Sequence, residues 1–369
     1  MTGSKHTTTA HTTFYILKML RGIRFMQATI FTIPAIDGKK IFIRLWQPPK
    51  HVNSPLPKGI VHIFHNIAEH SGRYHRTAQR LCDAGYVVVA HDYRGHGSTA
   101  SNTKELGRFA DRHGWQLIIS DAHAVNKDVQ ERFPEVPVIG LGHCIGASIL
   151  QTYATRHPQN INAIALSAPI FSHPIFARMA TLLASLEKLR LGRHKESRLI
   201  QQIVFGGFNR QAKAKRTPFD WLSRNPQVAD SYMADPHCGF IGSTQMWRDI
   251  LTGMSELHTD EIFTFLPTQI PYYLFTGSDD PISGLNSSMK RLIALLRQTG
   301  VTDLSVHIYP EGRHEMLHEV NHQEVHRDLI RWLDRVHHDA QQATLSTTIS
   351  SGLPMSSEGL SSEDTHAAA

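Results

Sequence analysis

Short blocks of consecutive apolar residues alternate along this chain with longer stretches whose apolar positions recur every three or four residues. Gly59–Phe64, Tyr86–Ala90, Val136–Leu141, Asn162–Leu166, Pro271–Thr276 and Leu304–Tyr309 are of the first kind. Continuous runs of this length predict strands buried on both faces. Tyr74–Ala84, Trp115–Phe133 and Asn286–Arg297 are of the second kind and predict amphipathic helices. Trp115, Ile118, Ile119, Ala122 and Val125 share one face of the longest. A final helix carries Val325, Leu329, Trp332, Leu333 and Val336 at i, i+4, i+7, i+8 and i+11. Near the start, Ala28–Ile33 and Ile41–Trp46 flank Asp37-Gly38, a hairpin signal. Pro48, Pro49, Pro55 and Pro57 then mark a loop. Buried strands alternating with amphipathic helices predict an α/β fold, a mostly parallel sheet with helices on both faces.

That rhythm stops between residues 169 and 268, where helical patches such as Ile175–Leu191 occur without a strand pattern. The expected organisation is a core (26–168), an inserted helical cap or lid (169–268) and the rest of the core (269–338). Lys188 to Arg216 holds nine Lys or Arg against one acidic residue, Glu196. Residues 1–25 hold four basic residues and no acidic one, and begin Thr-rich. They could act as a transit-like or surface-seeking segment, and we read them as a disordered extension. Residues 339–369, rich in Ser and Thr, read as a disordered tail.

Composition narrows the class. At 41 % hydrophobic residues in 369, there is ample material for a core, and no run reaches the length of a membrane span. Three cysteines, Cys82, Cys144 and Cys238, do not form a disulfide framework and suit a reducing, cytoplasmic setting. The net charge of +6 allows peripheral contact with an anionic membrane surface or simple solubility. No nucleic-acid motif is present.

The chemistry centres on Gly142-His143-Cys144-Ile145-Gly146, at the junction of a predicted strand and a predicted helix. A G-x-nucleophile-x-G turn there exposes the central side chain on a strained backbone and requires small neighbours. Cys stands where Ser is usual. Two later strands end in candidate partners: Gly277-Ser278-Asp279-Asp280-Pro281 and Pro310-Glu311-Gly312-Arg313-His314. The order nucleophile, acid, histidine matches a hydrolase triad, and strand C-terminal ends are where such groups gather.

The segments HNIAEHSGRY (65–74), DYRGHG (92–97), GHCIG, GSDDP and GRHEMLHE resemble the lysophospholipase and monoglyceride-lipase branch of the α/β-hydrolases. So does the cap stretch TPFDWLSRNPQVADSYMADPHCGF, and the resemblance spans residues 28 to 337. It implies Cys144, Asp280 and His314 as the triad, Asp280 being the fourth residue of its turn. It implies an oxyanion hole built from the backbone N–H groups of Ile67 and Ile145. The usual early His-Gly pair is here His65-Asn66; Asn tolerates left-handed geometry and could preserve the loop. An imidazolium beside a thiol favours the thiolate, and attack then gives a thioester. Cys at this position also occurs in dienelactone hydrolases and polyester synthases.

A rival motif overlaps the last segment. His314-Glu315-Met316-Leu317-His318 spells a zinc-protease H-E-x-x-H. Pro310 and Gly312 stand where its helix should already run, and Asn321 with Glu324 reads as a capping box that starts the helix after His318. His70, His96, His143 and Cys238 read as structural. The sequence thus points to a carboxylic-ester hydrolase for a single-chain lipid, a lysophospholipid or a monoacylglycerol, with no cofactor and no metal. An acyltransferase using the same thioester and a non-catalytic ligand-binding relative remain alternatives.

Overall fold

A computed structural model describes residues 27–49, 56–171, 174–211, 215–257, 259–282 and 287–350. The expectation for residues 1–25 lies outside them. Eight strands form one sheet: β1 (Thr29–Pro34), β2 (Lys40–Trp46), β3 (Ile60–Phe64), β4 (Val87–His91), β5 (Val138–His143), β6 (Ala163–Ser167), β7 (Tyr272–Gly277) and β8 (Leu304–Tyr309). Their order is β1-β2-β4-β3-β5-β6-β7-β8. The β1–β2 hairpin and the β2–β4 pair are antiparallel, and every other pairing is parallel.

Both faces of the sheet are apolar because side chains alternate along buried strands. On β6, Ile164 and Leu166 join one core while Ala163 and Ala165 join the other. On β7, Tyr272 and Leu274 alternate in the same way with Tyr273 and Phe275. The second face is covered by α1 (His75–Asp83), through Ala78 and Leu81. The first face receives α2 (Gly114–Arg132), through Trp115, Ile118, Ile119 and Ala122, and α3 (Ile145–Arg156), through Ile149, Leu150 and Tyr153. Each fully buried Leu, Ile or Val contributes about 1.5–3 kcal/mol.

Among the described residues, five α-helices lie between β6 and β7: α4 (Pro174–Leu191), α5 (Arg198–Phe205), α6 (Pro226–Ala234), α7 (Thr244–Leu257) and the short α8 (Asp260–Phe263). α4 packs along α7, where Arg248 donates to Ser185 and Lys188 to Gln245. α9 (Ser287–Gln298) connects β7 to β8, and α10 (His322–Ser350) closes the described chain.

α10 corrects the expected tail. It continues through residues 339–350 instead of ending before them. Ala340, Gln341, Gln342 and Ala343 are good helix formers, and the helix extends on propensity and local bonds, including Ser346 Oγ to the Gln342 carbonyl. Residues 351–369 lie outside the described set.

Candidate active site

Strand β5 runs two residues beyond the apolar block, so Gly142 and His143 are still in the sheet when the chain turns. Cys144 bonds backward through its N–H to the Ser167 carbonyl (2.9 Å) and forward through its own carbonyl to the Ala147 N–H (3.0 Å). Between these ties its backbone sits at φ 54°, ψ −113°, a region that costs a non-glycine residue about 1–3 kcal/mol. The glycines permit the turn. A Cβ on Gly146 would lie 2.1 Å from the Phe64 carbonyl oxygen, and one on Gly142 would lie 2.6 Å from Ala147 Cα. α3 begins at Ile145, so the positive end of its dipole meets the turn.

Two other loops approach the same edge. The Ser278 N–H donates to the Tyr309 carbonyl and the Asp279 N–H to the Gly312 carbonyl, both at 2.9 Å. A Cβ on Gly277 would fall 1.9 Å from that Gly312 oxygen, so glycine is what lets the loops after β7 and β8 meet. This contact sets Asp280 against His314. Nδ1 of His314 lies 3.0 Å from Asp280 Oδ1, with both side chains fully buried. The same carboxylate accepts from Thr276 Oγ1 (3.0 Å) and from the Ile282 N–H (2.9 Å).

Burial disfavours a charged ring at His314. The Asp280 carboxylate and then the Cys144 sulfur outweigh it, raising the ring's proton affinity well above that of an ordinary histidine. Nε2, the ring's other nitrogen, is buried, and the Cys144 sulfur is near enough to act on the ring. Trp221 and His143 pack on the ring, with centroids 5.0 and 4.8 Å away. Burial pushes His143 itself down to about 4, with His314 adding to the effect.

The expected oxyanion donors also converge. The Ile67 N–H points at Asn66 Oδ1 (2.7 Å), and the Ile145 N–H points at the same oxygen (3.4 Å). The left-handed residue of this loop is Ala68, at φ 55°, and not Asn66, which corrects the reason given above for the departure from His-Gly. Asn66 contributes its side chain, not an unusual backbone.

Beneath this loop lies an ion cluster that the motifs contained without revealing its purpose. Arg73 bonds to both oxygens of Glu315 (2.6 and 2.7 Å) and also to Glu69. Glu69 accepts from the Asn66 N–H (2.6 Å) and the Tyr74 hydroxyl (2.8 Å). Burial raises the proton affinity of both carboxylates, but Arg73 outweighs it, lowering Glu315 and, with His143 and His65, holding Glu69 well below the usual range. The cluster joins the Asn66 loop to the residue after His314. A basic and an acidic residue in HNIAEHSGRY and an acidic one after the histidine were the available signal.

The zinc reading fails on geometry. His314 faces Asp280, Glu315 faces Arg73, and His318 Nε2 lies 3.0 Å from the Arg73 carbonyl. His318 ends a single 3₁₀ turn, and the long helix starts only at His322. His70, His96 and His143 each make a hydrogen bond, to Asp235, the Arg94 carbonyl and Ser167. Cys238 is partly buried and stands with His70 and Asp235. His70 accepts the Gly72 N–H at Nδ1, so Nε2 carries the proton toward Asp235 and is not free to ligate.

A cavity of about 420 Å³ opens above the Asn66 loop. Ile67, Phe205, Phe219, Trp221, Leu222 and Tyr232 give it apolar walls, and Asn66, Glu69 and Glu315 stand at its floor. Trp221 and Leu222 also hold the His314 loop, their carbonyls accepting the His314 N–H (3.5 Å) and the Glu315 N–H (2.8 Å).

The parallel sheet, the turn at Cys144 and the acid–histidine pair at the strand ends define an α/β-hydrolase. The family described as serine aminopeptidase, S33 (Hydrolase_4) matches residues 55–321, and the chain belongs to it. Its similarity extends to a monoacylglycerol lipase of Mycolicibacterium smegmatis, 26 % identical over 81 % of this chain and 94 % of that one. A monoglyceride lipase of Rattus norvegicus is 27 % identical over 79 % of this chain and 88 % of that one. Among solved structures, a thermostable carboxyl esterase from Bacillus coagulans in complex with glycerol superposes with a TM-score of 0.75 at 25 % identity, covering 85 % of this chain and 99 % of that one. The chain is a hydrolase of the α/β-hydrolase type.

Proposed function

We propose that this enzyme cleaves the carboxylic ester of a single-acyl-chain lipid, a monoacylglycerol or a lysophospholipid, through Cys144, His314 and Asp280. The observation that carries the reading is the buried Asp280–His314 bond beside a strained Cys144 at a helix N-terminus. The named activities of the relatives support the substrate class, and the apolar walls of the cavity suit an acyl chain. The helices between β6 and β7 then serve as the cap.

In this mechanism the thiol proton passes to His314 Nε2 as sulfur bonds to the ester carbon. The N–H groups of Ile67 and Ile145 receive the developing oxyanion. The carbon–oxygen bond breaks, His314 returns the proton to the leaving alcohol, and a thioester remains. Water then attacks, giving its proton to His314, and the carbon–sulfur bond breaks to release the fatty acid and the thiol. Asp280 holds the Nδ1 proton throughout and stabilises the imidazolium.

The comparison of wild type, Cys144→Ser and Cys144→Ala on monoacylglycerols, lysophospholipids and short esters tests this. Turnover abolished in the Ala variant and partly kept in the Ser variant is the expected result; full activity in the Ala variant removes Cys144 from the mechanism. Added glycerol that diverts product from fatty acid to new ester would reassign the enzyme to acyl transfer.

We further propose that the enzyme works in the cytoplasm, peripheral to an anionic membrane surface. Three free cysteines suit a reducing compartment. Ile175, Phe176, Met179, Leu182, Leu186 and Leu189 form an exposed apolar face of α4, with Arg178 and Arg190 exposed on the same helix. Such a face with flanking cations fits a lipid surface. Among the described residues, no helix is long and apolar enough to cross a membrane.

A further inference from the structure

The two N–H groups that the mechanism requires for the oxyanion are already occupied. Both point at one oxygen, Oδ1 of Asn66, at 2.7 Å from Ile67 and 3.4 Å from Ile145. A carboxamide C=O is the closest protein equivalent of an ester carbonyl: planar, neutral and an acceptor. It therefore sits where the substrate's oxygen must go.

Its backbone is pinned. The Asn66 N–H is tied to Glu69 (2.6 Å), whose charge is locked by Arg73, and the Asn66 carbonyl lies 2.6 Å from His65 Nδ1. The part free to move is the side chain, by rotation about χ1. Asn66 also lines the 420 Å³ cavity, whereas Cys144 and His314 lie outside that lining and are 3 % and 0 % exposed. Asn66 thus borders the cavity while its side-chain oxygen meets the oxyanion donors.

We infer that Asn66 is a specificity-determining plug. It fills the oxyanion hole until a ligand seated in the cavity displaces it. The inference rests on the triad reading above and deepens it. A long acyl chain that fills the cavity can use binding energy to drive the side chain out. A short ester has little such energy and meets a closed hole. The enzyme therefore discriminates by chain length at the oxyanion hole as well as along the cavity walls.

The experiment measures kcat/KM of wild type, Asn66→Ala and Asn66→Asp on p-nitrophenyl acetate and on a long-chain monoacylglycerol, with Cys144→Ala as control. Asn66 has no positive φ, so alanine suits its backbone. Removing the plug should raise the acetate value by about tenfold, the scale of one lost hydrogen bond, and the long-chain value by less. Asn66→Asp should lower both, because a carboxylate binds two N–H groups more tightly than an amide does. Opposite directions at one position separate a plug from a merely structural residue, whose two variants would both lose activity. An acetate rate in Asn66→Ala at or below wild type overturns the plug, provided Cys144→Ala is inactive. An active Cys144→Ala overturns the triad reading instead.

Discussion

The side chains of Asp280 and His314 are fully buried, and four separate bonds fix the Asp280 carboxylate and the two loops that carry them. On α4, six large apolar side chains point outward: Leu182 is 62 % exposed and Leu189 is 80 % exposed. The two regions obey different demands. At the strand ends, backbones approach so closely that glycine is required at 142, 146 and 277, and a charge without its partner would be stranded away from water. On the inserted helices the inner side, Ala177, Ala184 and Glu187, packs, while the outer side is left to whatever surface the protein meets. The proposed chemistry sits in the part that has no freedom, and the proposed contact with a lipid surface on the part that has some.

The contrast can be broken from the rigid side first. Asp280→Asn should reduce kcat by about three to four orders of magnitude while leaving KM nearly unchanged, because the ring loses its orientation and the stabilisation of its positive charge. Steady-state kinetics check this, and a loss smaller than tenfold would remove Asp280 from the triad. Next in size is Arg73→Met. It leaves Glu69 and Glu315 buried without their cation and should cost about 3–5 kcal/mol in urea unfolding. A cost near zero would mean the cluster is a bystander.

A pH titration of stability acts on the interior more gently. Burial pushes His62, His96 and His326 down to about 3, and His143 to about 4. Their folded values lie below the ordinary 6.5, so the unfolded chain takes up protons first as pH falls. Stability is then lost from about pH 6.5 downward. His314, raised in the fold, works the other way, and its contribution fades as pH rises. With His65, His91, His123, His157 and His318 also lowered, nine lowered histidines among the described residues against one raised predict a Tm that drops between about pH 7 and pH 5; a flat profile would contradict the burial of these rings. The smallest effect on the fold belongs to the outer face. Leu182→Glu with Leu186→Glu should change unfolding free energy by less than about 0.5 kcal/mol each and yet weaken co-sedimentation with anionic vesicles. Unchanged sedimentation would dismiss the membrane proposal and leave the active site untouched.

Much of this was legible in the chain. Continuous apolar blocks marked six of the eight strands because strands buried on both faces leave a dense local signature, and Asp37-Gly38 marked the hairpin of the other two. Asp280 and His314 were findable because each follows a strand within a few residues. The end of α10 was not legible: polar, Ala- and Gln-containing sequence reads alike as helix or as coil until a long preceding helix supplies the nucleus. The spelling H-E-x-x-H was legible as a chance match for a related reason: a spacing has meaning only on a helix, Pro310 and Gly312 argue against one there, and the loop after β8 is not one.

By itself the sequence determined the strand–turn–helix at Cys144 and the alternation that builds the sheet, and it placed an Asp279-Asp280 pair and His314 at strand ends, because each depends on residues close together in the chain. The tertiary structure decided what those residues face. Asn66 and Ile145 are 79 positions apart and Arg73 and Glu315 are 242 apart. No local pattern encodes that a side chain from one loop ends on the N–H of another; that follows from how the whole sheet twists and which loops its packing brings to one edge.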